Sequence, residues 1–150
     1  MFFKKVKIKD NNFQIKVCAL LIHAAKIDEN YTEKEEEIIR KTLSELGLEK
    51  ESISKTIEEA KIIEENSNQI LDFTREVKNL PDEDKIKIVE SLWSIIYSNK
   101  EADIYETNLM RRLAGLLYVD NKIMGDIKEK IKQNSKWLIS LMIIALSVNW

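Results

Sequence analysis

The chain carries one pattern twice, and that repeat restricts what it can fold into more than any other feature. The clearer copy is Ser91-Leu92-Trp93-Ser94-Ile95-Ile96-Tyr97-Ser98-Asn99, a polar turn to Ala102, and then Asp103 to Leu117, which reads as two helices joined by a tight connection. Moving back 71 positions places Asp28 on Asn99, Thr32 on Asp103, Glu35 on Glu106 and Leu46 on Leu117. Ile38 and Ile39 fall on Leu109 and Met110, Arg40 on Arg111 and Lys41 on Arg112. The agreement is mostly one of residue type, yet a helix end, a cap and an apolar face are kept together. We read a duplicated helical hairpin.

A chain of 150 residues is long enough for one domain with one sizeable core. Three Gly and one Pro among abundant Glu, Lys, Ile and Leu is the composition of helices and short turns, so the expected class is all-α. Charged residues make up 33% and nearly cancel to a formal −2, which offers nucleic acid no overall field. Cys18 is the single cysteine, so no intramolecular disulfide can form, and no Cys/His cluster has zinc-ligand spacing. A reducing, cytoplasmic compartment is the expected home. The start, Met1-Phe2-Phe3-Lys4-Lys5-Val6-Lys7-Ile8-Lys9, lacks the apolar run and cleavage site of a secretory signal. We read residues 1–12 as a basic and apolar arm, either solvated or touching an anionic membrane surface.

Residues 13–134 read as the helical domain. Asp10-Asn11-Asn12 precedes a first helix with Phe13, Val17, Cys18, Leu20, Leu21, Ala24 and Ala25 at helical spacing. After the polar connection Asp28 to Thr32, Thr32 and Glu35 match a capping box, and the second helix stops at Gly47. A third helix runs from Leu48 to about Asn66, and a fourth, marked by Ile70, Phe73, Val77 and Leu80, ends before Pro81. Pro81 suits the first position of a fifth helix, followed by Asp82, Glu83 and Asp84 where the helix dipole favours negative charge. Asp103 with Glu106 caps a sixth, and Asp120 or Asn121 starts a seventh that runs to about Lys132.

Residues 135–150 form a separate expected element. Trp137 to Trp150 holds no charged residue and is apolar around its whole helical circumference. As a helix it would be about 21 Å long, short of the roughly 30 Å hydrocarbon core of a bilayer. Three readings stand: a closing helix in the core, insertion into one leaflet, or a dimer or partner surface. Lys128, Lys130, Lys132 and Lys136 upstream and Trp at both ends favour the membrane surface. Trp137, Leu141, Ile144 and Trp150 are the candidate contacts with a protein partner or the membrane.

Several stretches together resemble the TerB-like family, small all-α proteins named after a tellurite-resistance component and similar to the N-terminal domain of the DjlA co-chaperone. They are Ala24 through Glu35, Ile70-Leu71-Asp72-Phe73-Thr74, Leu92-Trp93, and Glu106 through Arg111-Arg112-Leu113-Ala114-Gly115-Leu116-Leu117. The resemblance covers Phe13 to Ile131. It implies a compact bundle of seven to eight helices without catalytic activity, tied to tellurite or general stress resistance. It also implies a divalent cation, Ca²⁺, Mg²⁺, Mn²⁺ or Zn²⁺, bound through paired acidic turns. In the family pattern each turn has Asp-Gly and, six residues after the Gly, a Glu. Here the first turn has Asp28, Glu29 in place of Gly, and Glu35; the second has Asn99-Lys100 in place of Asp-Gly, and Glu106. Asn is a weaker ligand for a hard cation, and Lys100 adds positive charge beside it.

The candidate metal residues are therefore Asp28, Glu35 and Glu106. The alternative is that Asp28 closes one helix while Thr32 and Glu35 cap the next with no ion. An EF-hand is excluded, because the sixth position of the loop is Glu33 and the twelfth Ile39. His23 has no partner at ligand spacing and reads as a partly buried polar residue. Cys18 reads as a buried hydrophobe, and the runs Glu33 to Glu37 and Glu58 to Glu65 as solvated faces. Arg111-Arg112 is expected to pair with neighbouring carboxylates. No P-loop, dinucleotide fingerprint or GxSxG motif is present, and no small-molecule substrate is evident. The expected function is a non-enzymatic stress-response module at the inner face of the membrane, or else an adaptor or co-chaperone-type interaction module using its apolar C-terminal segment.

Overall fold

The computed structural model describes the backbone of residues 12–27, 31–67, 70–98 and 104–148, and the side chains in these stretches except those of 12, 104, 135–140 and 148. The basic arm, Asp28 and its turn, the connection at 99–103 and Trp150 lie outside the described residues, as does the side chain of Trp137. The described residues form seven helices and no strand: α1 (Asn12–Ala25), α2 (Glu33–Glu45), α3 (Lys50–Asn66), α4 (Leu71–Val77), α5 (Asp82–Ile96), α6 (Ile104–Leu116) and α7 (Asn121–Val148).

The repeat is present in the backbone. A shift of 71 positions carries α2 onto α6 end for end, and α1 onto all but the first residue of α5. Burial repeats with it: Val17 and Ile88, Cys18 and Val89, Leu21 and Leu92, Ile39 and Met110 are all buried at equivalent positions. The two second helices also stop in the same way. The Gly47 N–H donates to the Ser44 carbonyl and that of Leu48 to Leu43; the Tyr118 N–H donates to Gly115 and that of Val119 to Ala114. This pair of bonds needs a left-handed residue just past the helix, and Gly47 (φ 97°) and Tyr118 (φ 56°) provide it. Gly47 adopts that conformation freely, whereas Tyr118 does so against the clash of its Cβ. The Tyr118 side chain is exposed, its ring facing the ammonium groups of Lys78 and Lys85 at 5.7 and 5.9 Å.

The core is built around α1. Val17 to Ile22, Ala24 and Ala25 are all at most 2% exposed, because α1 packs most extensively on α3 and α4 and also touches α2 and α5. The second hairpin joins through α5, which packs on α1, α2 and α7, while α6 touches α4 and α7. Thr42 of α2 and Ser91 of α5 hydrogen-bond through their hydroxyls where these helices meet, one donating to the other and the acceptor donating to a carbonyl of its own helix, Ile38 for Thr42 or Lys87 for Ser91.

Four helix boundaries differ from the sequence reading, the first being α3, which starts at Lys50 and not at Leu48. Pro81 precedes the first turn of α5 as its N-cap, so the helix starts at Asp82, and the Pro81 carbonyl accepts the Asp84 and Lys85 N–H groups. The fourth helix is short, because after Val77 the chain turns through Lys78 and Asn79 to reach Pro81. Lys132 ends nothing: α7 continues unbroken for 28 residues, about 42 Å. No Gly, Pro or capping residue after Lys132 stops it. Its first half packs on the bundle through Met124 and Ile127, with Lys128 over the Trp93 ring and Lys130 3.3 Å from Glu90. Its last part does not close the core: Leu141, Met142, Ile143, Ile144 and Leu146 are 44 to 66% exposed.

Replacing Gly47 by Ala should destabilise the protein by about 1 kcal/mol through backbone strain alone, since a Cβ there meets nothing within 4 Å. Tyr118→Gly should change stability the other way by up to about 1 kcal/mol, less whatever the lysine contacts contribute. Urea unfolding midpoints of the two variants check both signs.

Candidate functional site

The repeated turns place Glu35 and Glu106 at the same point of their second helices, in the first turn after the connection, and both are buried, at 2 and 3% exposure. Around Glu35 the capping box forms as expected. Glu35 Oε1 accepts the Thr32 backbone N–H at 2.8 Å and the Thr32 hydroxyl at 3.0 Å, while Thr32 Oγ1 accepts the Glu35 N–H at 3.4 Å. The Glu35 carboxylate thus secures the start of α2. Among the described residues no group of three or more His, Cys, Asp or Glu side chains is placed to hold a metal ion. Asp28, the third candidate ligand, lies outside them.

The same end of the first hairpin contains an ionic cluster that the sequence reading missed. Glu64 near the end of α3 is only 9% exposed; it accepts from Lys26 Nζ at 2.6 Å and lies 3.2 Å from His23 Nδ1. Glu64 and Glu35 therefore correct the reading of the two Glu/Lys runs as wholly solvated faces. Each run turns one carboxylate inward, because a helix face wide enough to pack on α1 takes in a polar position as well. The signal available in the sequence was His23 with Lys26, three residues apart and so on one face of α1. His23 itself is half-buried, as expected.

Beside this cluster a cavity of about 420 Å³ is lined by Ile22, Lys26, Tyr31, Lys61 and Glu65. Lys61 sits 3.5 Å from Glu36 and 5.7 Å from the centroid of the Tyr31 ring. Burial first, and then the Glu36 carboxylate beside it, push the Tyr31 phenol upward from its ordinary range. Cys18 is buried and its thiol is pushed up to about 12, chiefly by loss of hydration. It is a packing residue and no nucleophile at neutral pH.

A second, wider groove of about 810 Å³ runs between α2, α5 and α7. The buried Thr42 and Ser91 line it, with Lys34, Lys41, Lys87 and Lys130 interleaved with Glu37, Glu45 and Glu90. Met142 reaches it from the distal part of α7. Of the expected contact residues, Leu141 and Ile144 are exposed on that same part of the helix, at 44 and 57%. No helix among the described residues is long and apolar enough to cross a membrane.

Thr32→Ala should remove about 1 kcal/mol of stability by leaving the first turn of α2 uncapped, measured by urea unfolding. The Cys18 thiol is neutral in the folded protein up to about pH 12, whereas the unfolded chain ionises it near 9.0. Its contribution is intact below pH 9 and declines as pH rises from there towards 12. Comparing the pH dependence of unfolding with that of Cys18→Ala should show the steeper alkaline fall in the parent chain.

No curated protein and no solved structure matches the chain significantly. The family model for tellurite resistance protein TerB matches residues 14–129, which is the span from α1 into the packed half of α7. With its all-helical bundle, its duplicated hairpin and a family match over most of its length, the chain belongs to the TerB family.

Proposed function

We propose that this chain is a non-enzymatic TerB-family module that acts by binding, in stress response of the tellurite-resistance kind its family is named for, and that its working contact is the projecting end of α7. The observation that supports this is the exposure of Leu141, Met142, Ile143, Ile144 and Leu146 on a helix whose first half packs on the bundle through Met124 and Ile127. Five large apolar side chains in six positions are costly to leave in water unless something covers them in the working state. The contact would hold the module beside the cytoplasmic face of a membrane. In a cell dependent on this chain for tellurite tolerance, Leu141→Ser with Ile144→Ser should abolish protection while leaving the unfolding midpoint within about 0.5 kcal/mol, as expected for exposed positions. Full protection by the folded double variant would move the working contact elsewhere.

A second reading is favoured by the equivalent burial of Glu35 and Glu106. Buried carboxylates at one point of each repeat, next to turns rich in oxygen donors, suit a hard divalent cation such as Ca²⁺ or Mg²⁺, with Asp28 as a further ligand. The engagement of Glu35 with Thr32 already gives it a structural use, so the ion would be an addition to the cap. Chelator-treated protein titrated with Ca²⁺, Mg²⁺, Mn²⁺ or Zn²⁺ to 100 times the dissociation constant should gain about 2.7 kcal/mol, and Asp28→Asn should lose the gain. A flat titration leaves the turns as caps alone.

A further inference from the structure

We infer that the occupant of the exposed end of α7 is a lipid bilayer with anionic headgroups, an inference that rests on the reading of that end as the working contact. Three observations favour lipid over a protein groove or a second copy. The first is angular. Successive helical residues are set about 100° apart, so Leu141, Met142, Ile143 and Ile144 together point in every direction around the axis. All four are exposed. A protein groove covers one stripe of a helix and selects polar residues on the other side, whereas lipid covers the full circumference.

The second observation is the boundary in charge along one continuous helix. No charged residue occurs from Trp137 to Trp150, while residues 128–136 just before hold Lys128, Lys130, Lys132 and Lys136 against the single Glu129. Lys130 is 64% exposed even with its contact to Glu90. Such a collar lies where anionic headgroups would meet a helix inserted by its apolar end, and each lysine near the surface contributes about fivefold to binding. The third is length. The uncharged helical residues 137–148 extend about 18 Å, enough to enter one leaflet of a core roughly 30 Å thick.

The test uses the full chain, vesicles of phosphatidylcholine with and without phosphatidylglycerol, and the same vesicles carrying brominated acyl chains. Co-sedimentation should be strong with the anionic vesicles and weaker with neutral ones or in high salt. It should fall about tenfold or more in Leu141→Asp with Ile144→Asp, a pair whose fold is checked by circular dichroism. Brominated lipid should quench the emission of Trp137 and Trp150, which adsorption by lysines alone would not do. If the chain ignores vesicles of either kind yet self-associates in analytical ultracentrifugation, and the double substitution dissociates it, lipid is overturned and the end of α7 is a surface for a second copy. If the chain ignores vesicles, stays monomeric and protects cells against tellurite equally well with the substitution, both this inference and the working contact fall. Quenching without dependence on phosphatidylglycerol overturns the part assigned to the lysine collar.

Discussion

Everything in this bundle depends on burying α1 along almost its whole length. A helix with its surface turned to the core on only one side needs one partner; α1 has eight apolar residues that solvent barely reaches, and it touches α2, α3, α4 and α5. Cys18, Ala19, Ala24 and Ala25 keep parts of its surface narrow, while Leu20, Leu21 and Ile22 fill the space between neighbours. Such burial removes water from apolar area on several sides of a single element, which gives it a large share of the hydrophobic driving force. At the end of α1 the Glu64 carboxylate that comes inward is paired with Lys26 and His23.

The second hairpin solves the same problem with different residues. Its first helix, α5, packs on α1 as well as on α2 and α7, and its second, α6, ends in the same hydrogen-bond pattern as α2. What is retained between the copies is position: which residues face inward, where the helix starts, and where the backbone turns left-handed. What is not retained is chemistry. Gly47 becomes Tyr118, Thr42 becomes Leu113 and Leu43 becomes Ala114, all at equivalent places. The left-handed turn at Tyr118 shows that the stop is imposed by the packing of the hairpin and not by the preference of the residue that occupies it.

The consequence for function is a division of the chain into a packed body and a protruding end. The ionic groups near the repeated turns are largely engaged in holding helices: Glu35 with Thr32, Glu64 with α1, Lys61 with Glu36. Among the described residues of the end of α7, Leu141 to Leu146 leave much of their apolar surface uncovered, with Met142 beside the groove of α2 and α5. Apolar groups left in water at the end of a helix anchored by Met124, Ile127 and Lys128 are held at a fixed place relative to the bundle, which is the geometry of a contact made by the whole body.

The sequence by itself determined the helical class, the duplicated hairpin, the cap at Thr32 and Glu35, the stop at Gly47 and the family. These rest on local rules: apolar spacing of 3.6 residues, side chains that satisfy backbone groups three residues away, and a residue free to adopt positive φ. It could not determine that Glu64 turns inward, that Tyr118 takes a left-handed conformation, or that the helix begun at Asn121 runs on through Val148 with its apolar end exposed. Each of those is decided by what lies across the bundle. Glu64 is inward because α1 presents His23 and Lys26 to it, Tyr118 is strained because α6 must stop where α2 stops, and Leu141 and Ile144 are exposed on an α7 of 28 residues that packs on an α5 of only 15. Partners distant in sequence, and the places where neighbouring helices run out, are set only when the chain is packed.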